Sequence, residues 1–127
     1  MKDLIKQRIR DSIQVKQELL SNATLLGAVE KLSRQMVKCI GAGHKLIICG
    51  NGGSASDSLH FAGEILGRFQ KERQAWPAVV LNADVATMTA IANDYGYDDV
   101  FARQAVGHVN QGDIFIGISS SGNSENV

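Results

Sequence analysis

Lys45-Leu46-Ile47-Ile48-Cys49-Gly50-Asn51-Gly52-Gly53-Ser54 is the stretch on which the fold turns. Leu46 to Cys49 is a short apolar run of the kind that fills a strand buried on both faces. The glycine-rich loop behind it breaks the run, and a helix is expected from about Ala55 to Leu66. The same grammar repeats downstream. Ala78 to Leu81 reads as a second strand, and Asp84 is placed to cap a helix through Ala92. Asp98 is placed to cap another through Val109. Gly112-Asp113 then turns the chain into a third strand that ends at Ile118. Strands alternating with helices, each strand apolar on both faces, predict an α/β fold: a parallel sheet between two helical layers. Arg68 to Ala75 is polar and basic and is expected to be an exposed, mobile loop.

Upstream of Lys45 the period is helical. Ile5, Ile9, Ile13, Leu19 and Leu20 form one stripe, interrupted at Ser21-Asn22. Leu25, Val29, Leu32, Met36 and Ile40 form a second, closed by Gly41 and Gly43. Residues 1–43 therefore read as a helical hairpin ahead of a βαβ core at 44–127. Its apolar faces exceed what a small sheet can cover, which favours a subunit interface over internal packing.

Thirteen basic residues balance thirteen acidic ones, and aromatics make up 6%. That composition offers neither the field nor the stacking surface of a nucleic-acid binder, and no charge attraction to a membrane. No apolar run approaches the ~18 residues of a membrane span. Cys39 and Cys49 lack disulfide-framework or CxxC spacing and read as buried free thiols, which favours a reducing, cytoplasmic setting.

Two loops carry the chemistry. Gly50 to Ser54 sits between a strand and a helix, where open α/β sheets bind ligands. It has neither the GxGxxG spacing of a dinucleotide loop nor the GK[ST] of a Walker loop, so alone it could be a tight turn. Ser119-Ser120-Ser121-Gly122-Asn123-Ser124 follows the third strand and brings four hydroxyls and no cation. A phosphate there would be held by hydroxyl and amide donors, which suits a small phosphorylated metabolite. His60 and Glu64, at i and i+4, share one helix face, with Asp57 three residues before His60. Such a pair can supply two ligands to a divalent metal or a base and its partner; by spacing alone a solvated polar face is commoner. His44 and His108 read as structural or surface residues without a carboxylate partner. Asn93-Asp94 could reach the same strand edge, or could simply be a helix end completed by Gly96.

The motifs Cys49 to Glu64, Ala90 to Tyr97 and Gly117 to Ser124, in this order and spacing, resemble the sugar-isomerase (SIS) fold. Within it they resemble the sedoheptulose 7-phosphate isomerases, also called phosphoheptose isomerases. The resemblance implies a three-layer SIS fold over 1–127, incomplete at its C-terminus, and a cytoplasmic homotetramer with the N-terminal helices in its core. It implies conversion of sedoheptulose 7-phosphate to D-glycero-D-manno-heptose 7-phosphate, a precursor of lipopolysaccharide heptose and other bacterial glycans. It implies substrate binding by Asn51, Gly52, Gly53, Ser54, Asn93, Asp94, Ser119, Ser120, Ser121 and Ser124. His60 and Glu64 would bind zinc, with Glu64 the acid/base carboxylate. The family's remaining Gln and His ligands belong to a helix beyond these 127 residues, so the chain alone is expected to be inactive or nearly so. Two alternatives share the fold. One is a non-catalytic relative that binds the replication initiator, which Glu64 and the serine loop argue against. The other is a different phosphosugar isomerase or sugar-responsive regulator, which His60, Glu64 and Asn93-Asp94 argue against.

Overall fold

The computed structural model describes residues 1–127 as two compact units, Met1–Val37 and Lys38–Val127. The first unit holds α1 (Lys2–Ser21) and most of α2 (Ala23–Gly41). Asn22 separates them. Its N–H donates to the Leu19 carbonyl, ending one helix, and its Oδ1 accepts from the Leu25 N–H at 3.0 Å, starting the next. The two helices are present as expected, but they pack little against each other, and α1 buries no residue. Leu4, Ile5, Ile9 and Ile13 all remain more than half exposed along one stripe.

The second unit is a three-stranded parallel sheet in the order β2-β1-β3, with β1 (Leu46–Gly50) central, β2 (Ala78–Val80) and β3 (Ile114–Ile118). Ile47 registers with Val79 on one side and Phe115 on the other. The chain leaves β1 through α3 (Gly53–Leu66) to reach β2. It then returns across β1 through α4 (Val85–Tyr95), a 3-10 turn (Tyr97–Asp99) and α5 (Val100–His108) to reach β3. Right-handed crossovers running in opposite directions place their helices on opposite faces. The core is built accordingly. Ile47 and Cys49 pack with Leu81, Val100 and Phe101, backed by Met88 and Ile91 of α4. Leu46 and Ile48 alternate to the other side, where α3 packs along the sheet.

Most boundaries follow local chemistry. Asp84 caps α4, accepting from the N–H groups of Ala86 and Thr87 and from the Thr87 hydroxyl at 2.6 Å. Gly96, at φ 103°, ends α4 in a conformation that disfavours a side chain. Three expectations need correction. Asp98 caps nothing, because the 3-10 turn supplies the Tyr97 carbonyl to the Val100 N–H and α5 continues from it. The third strand is not apolar-buried on both faces, since Phe115 is 39% exposed. The 68–75 segment is exposed as expected, and Arg73 alone within it is partly buried and anchored. The Arg73 guanidinium donates to the carbonyls of Glu64 and Gly67 at the end of α3 and lies 3.7 Å from the Trp76 ring centroid. Finally, His44 does face a carboxylate, with its Nδ1 3.9 Å from Asp113 Oδ1.

Candidate active site at the carboxyl edge of the sheet

β1 and β3 are neighbours, yet the chain leaves β1 toward β2, on the far side from β3. Such a switch point, between the carboxyl ends of neighbouring strands, is where an open parallel sheet forms a crevice for a ligand. Gly50 sets the approach on the β1 side. A Cβ there would lie 2.7 Å from the Ser54 carbonyl oxygen, so only glycine lets α3 start this close to the strand. Gly52, at φ 55°, makes the turn before the helix. Asn82 braces the loop, accepting from the Gly50 N–H at 3.1 Å and donating to the Ala55 carbonyl at 3.3 Å.

The β3 side is the serine loop. Ser119 Oγ lies 3.0 Å from Ser124 Oγ and 3.4 Å from Ser121 Oγ. The Gly122 and Asn123 N–H groups donate to Ser119 and Ser121. Hydroxyl oxygens thus accept from two of the loop's amides. Of the hydroxyl hydrogens of Ser119, Ser121 and Ser124, two are taken up between the serines, which leaves one, beside that of Ser120, for an incoming anion. Ser120 is exposed and makes none of these bonds.

Side-chain amides join the two loops. Asn51 Nδ2 donates to Asn126 Oδ1 at 2.7 Å, and Asn126 Nδ2 donates back to Asn51 Oδ1 at 3.2 Å. The Tyr97 hydroxyl donates to the same Asn51 oxygen at 2.8 Å. The loops of Asn51 to Ser54 and Ser119 to Ser124 therefore do meet at one edge. Asn126, Tyr97 and Asn82 were not among the residues expected there. Tyr97 closes one of the quoted motifs, but nothing in its spacing points to Asn51.

The other candidates lie apart. His60 Nε2 and Glu64 Oε1 are 3.2 Å apart, with His60 open to solvent and Glu64 about one-third exposed. Helical rise carries them about 10 and 16 Å along α3 from Gly53, away from the serine loop. Glu64 there lines a cavity of about 670 Å³ with Phe61, Ile65, Phe69, Arg73 and Trp76. Asn93 donates to the Asp94 carboxylate at 2.9 Å on an exposed turn of α4. As a zinc site, His60 and Glu64 have suitable donor chemistry but are too few. No group of three His, Cys, Asp or Glu side chains converges anywhere in the chain, and zinc sites use at least three protein ligands.

A parallel sheet with helices on both faces and small-residue loops at the carboxyl ends of adjacent strands defines an α/β protein of the open-sheet class. A family model described as the SIS domain matches residues 11–127, and the chain belongs to that family. The chain is 46% identical over all 127 residues to a phosphoheptose isomerase of Sulfurimonas denitrificans, covering 65% of that relative. Two solved structures are also similar. Phosphoheptose isomerase from Francisella tularensis superposes with a TM-score of 0.91 at 40% identity, and that from Neisseria gonorrhoeae with 0.89 at 38%. Each match covers 98% of this chain and 64% of the other. The chain thus spans just under two thirds of the length of the relatives it matches.

Proposed function

We propose that the protein is a phosphosugar isomerase that converts D-sedoheptulose 7-phosphate to D-glycero-D-manno-heptose 7-phosphate, in the supply of heptose for bacterial glycans such as lipopolysaccharide. The observation that carries this reading is the junction of the Asn51–Ser54 and Ser119–Ser124 loops through Asn51 and Asn126. It makes one crevice with hydroxyl donors on one wall and backbone and amide donors on the other. The family membership and the isomerase relatives support it.

The reaction moves one proton between adjacent carbons through an enediol. A carboxylate takes a proton from C1 of the ketose and returns one to C2, while the C1 hydroxyl proton passes to the C2 oxygen. Glu64 is the carboxylate suited to the transfer, and His60, in contact with its Oε1, orients it. Because about 16 Å of helix separates Glu64 from the glycine loop of its own chain, it would serve a substrate held by the loops of a neighbouring copy. The serine loop anchors the phosphate, and Asn51, Asn93 and Asp94 take sugar hydroxyls. Zinc dependence would require ligands beyond His60 and Glu64. The open stripes of α1 and α2 suit a homotetramer, and a small-metabolite isomerase with buried free thiols suits the cytoplasm.

The test is an isomerase assay comparing seven-carbon and six-carbon ketose phosphates. Turnover of sedoheptulose 7-phosphate, weak for these 127 residues alone but at least tenfold preferred over fructose 6-phosphate, is expected. Equal turnover of both, or no binding of the heptulose, would overturn the reading.

A further inference from the structure

We propose that Asn126 and Tyr97 are positioning residues for Asn51, holding its side-chain amide so that it meets the ligand as a donor only. Both acceptor directions of Asn51 Oδ1 are occupied, by the Tyr97 hydroxyl at 2.8 Å and the Asn126 amide at 3.2 Å. One of its two amide hydrogens is committed to Asn126 Oδ1 at 2.7 Å. A single N–H therefore remains uncommitted. A free asparagine could rotate and present its oxygen instead, which would accept from a hydroxyl but repel a carbonyl or phosphate oxygen. The reciprocal pair with Asn126 resists rotation of the Asn51 amide alone, since a lone flip would set oxygen against oxygen and nitrogen against nitrogen. The Tyr97 hydroxyl holds the oxygen in its present direction.

The arrangement also has a reach that a local turn lacks. Asn51 follows β1, Tyr97 begins the 3-10 turn, and Asn126 lies two residues beyond Ser124, whose hydroxyl meets Ser119. Three separate segments must dock for the amide to be locked. The donor on the β1 side is therefore fixed relative to the serine wall, and the spacing between them selects what spans the crevice. The assignment rests on the phosphosugar reading above.

A double-mutant cycle on the protein tests it, with affinity for sedoheptulose 7-phosphate measured by calorimetry. Loss of one or two hydrogen bonds that preorganise the donor should weaken binding roughly five- to tenfold in Asn126→Ala and roughly two- to fivefold in Tyr97→Phe. Tyr97→Phe retains the ring and reports even if Asn126→Ala does not fold. In an Asn51→Ala background both effects should vanish, because the group being positioned is gone. Single variants that bind like wild type, or losses that recur undiminished without Asn51, would overturn the assignment while leaving the isomerase reading intact. A wild-type protein that neither binds nor turns over the heptulose phosphate would overturn both.

Discussion

Lys45 and Asp113 join the amino ends of β1 and β3, at the edge of the sheet opposite the crevice. Lys45 donates to the Asp113 carboxylate twice, from its Nζ at 2.6 Å and its backbone N–H at 3.0 Å. The Asn110 N–H donates a third bond at 2.8 Å, and the carboxylate is 2% exposed. The Lys45 side chain first, then the two backbone donors, hold this carboxyl far below the usual carboxylate range. Because the folded value is depressed, the contribution to stability is complete above the ordinary carboxylate range. It is lost progressively as pH falls through that range toward the folded value. Asp113→Asn should lower the thermal midpoint at neutral pH and flatten its fall between roughly pH 5 and pH 2. Thermal melts across that window check both; an unchanged acid limb would refute the assignment.

Gly50 is the next test, because the start of α3 depends on it. The Cβ of Gly50→Ala would press on the Ser54 carbonyl carbon, its oxygen and its Cβ, all within 2.9 Å. Two of these are backbone atoms, so the helix must shift. Overpacking of this kind costs about 1–3 kcal/mol, and here it also moves the Asn51–Ser54 wall. Denaturant titration should show the loss of stability, and calorimetry should show weakened binding of the heptulose phosphate. A variant as stable as wild type would contradict the close approach.

Burial alone raises the Cys49 thiol to about 11, since nothing near it stabilises a thiolate. Cys39 is also buried, with its Sγ 3.5 Å from the Lys45 carbonyl. Neither thiol should react with a chromogenic disulfide reagent at pH 8 in the folded protein. Both should react promptly after unfolding in denaturant. A fast stoichiometric reaction of the native protein would show that β1 is less closed than described.

The exposed stripe of α1 bears on assembly. Ile9 and Ile13 are 56% and 51% exposed, one turn apart, on a helix that buries none of its own side chains. Burying such groups against a second copy contributes about 1.5–3 kcal/mol per side chain. Changing both to Lys should therefore dissociate the proposed homotetramer without unfolding the sheet. Light scattering coupled to gel filtration reads the mass, and near-ultraviolet circular dichroism reads the fold. An unchanged oligomer mass would remove α1 from the interface.

What the sequence disclosed was mostly local. The run from Leu46 through Gly53 announces strand, turn and helix because apolar continuity and glycine act within a few residues. Asp84 and Gly96 announce the ends of α4 for the same reason, and Ser21-Asn22 marks the break between the first two helices. The serine loop was visible as chemistry before its geometry was known. The bonds that assemble the crevice were not, since Asn126 meets Asn51 across 75 residues and Tyr97 across 46. No pattern in polar residues encodes such pairing. It emerges when the second crossover brings β3 beside β1. The anchoring of Arg73 is not legible in the sequence, because a basic run between elements reads as a solvated loop whether or not a helix end offers one of its residues carbonyls. Asp98 was misread because an acidic residue before a helix need not cap it.

Glu64 separates binding from chemistry. It sits about 16 Å along α3 from the glycine loop by helical rise, so its loss should leave the serine wall and Asn51 untouched. Glu64→Gln preserves the shape, keeps an acceptor for His60 and removes only the proton-transfer capacity. If Glu64 is the base, kcat should fall by about 10²–10⁴-fold, while affinity for sedoheptulose 7-phosphate stays within about threefold. Solvent hydrogen exchange at C1 of the substrate, followed by NMR, should disappear in parallel, because enediol formation begins with that proton. A variant that still exchanges C1 hydrogen at the wild-type rate would require another base. A variant that loses affinity along with turnover would place Glu64 in substrate binding instead.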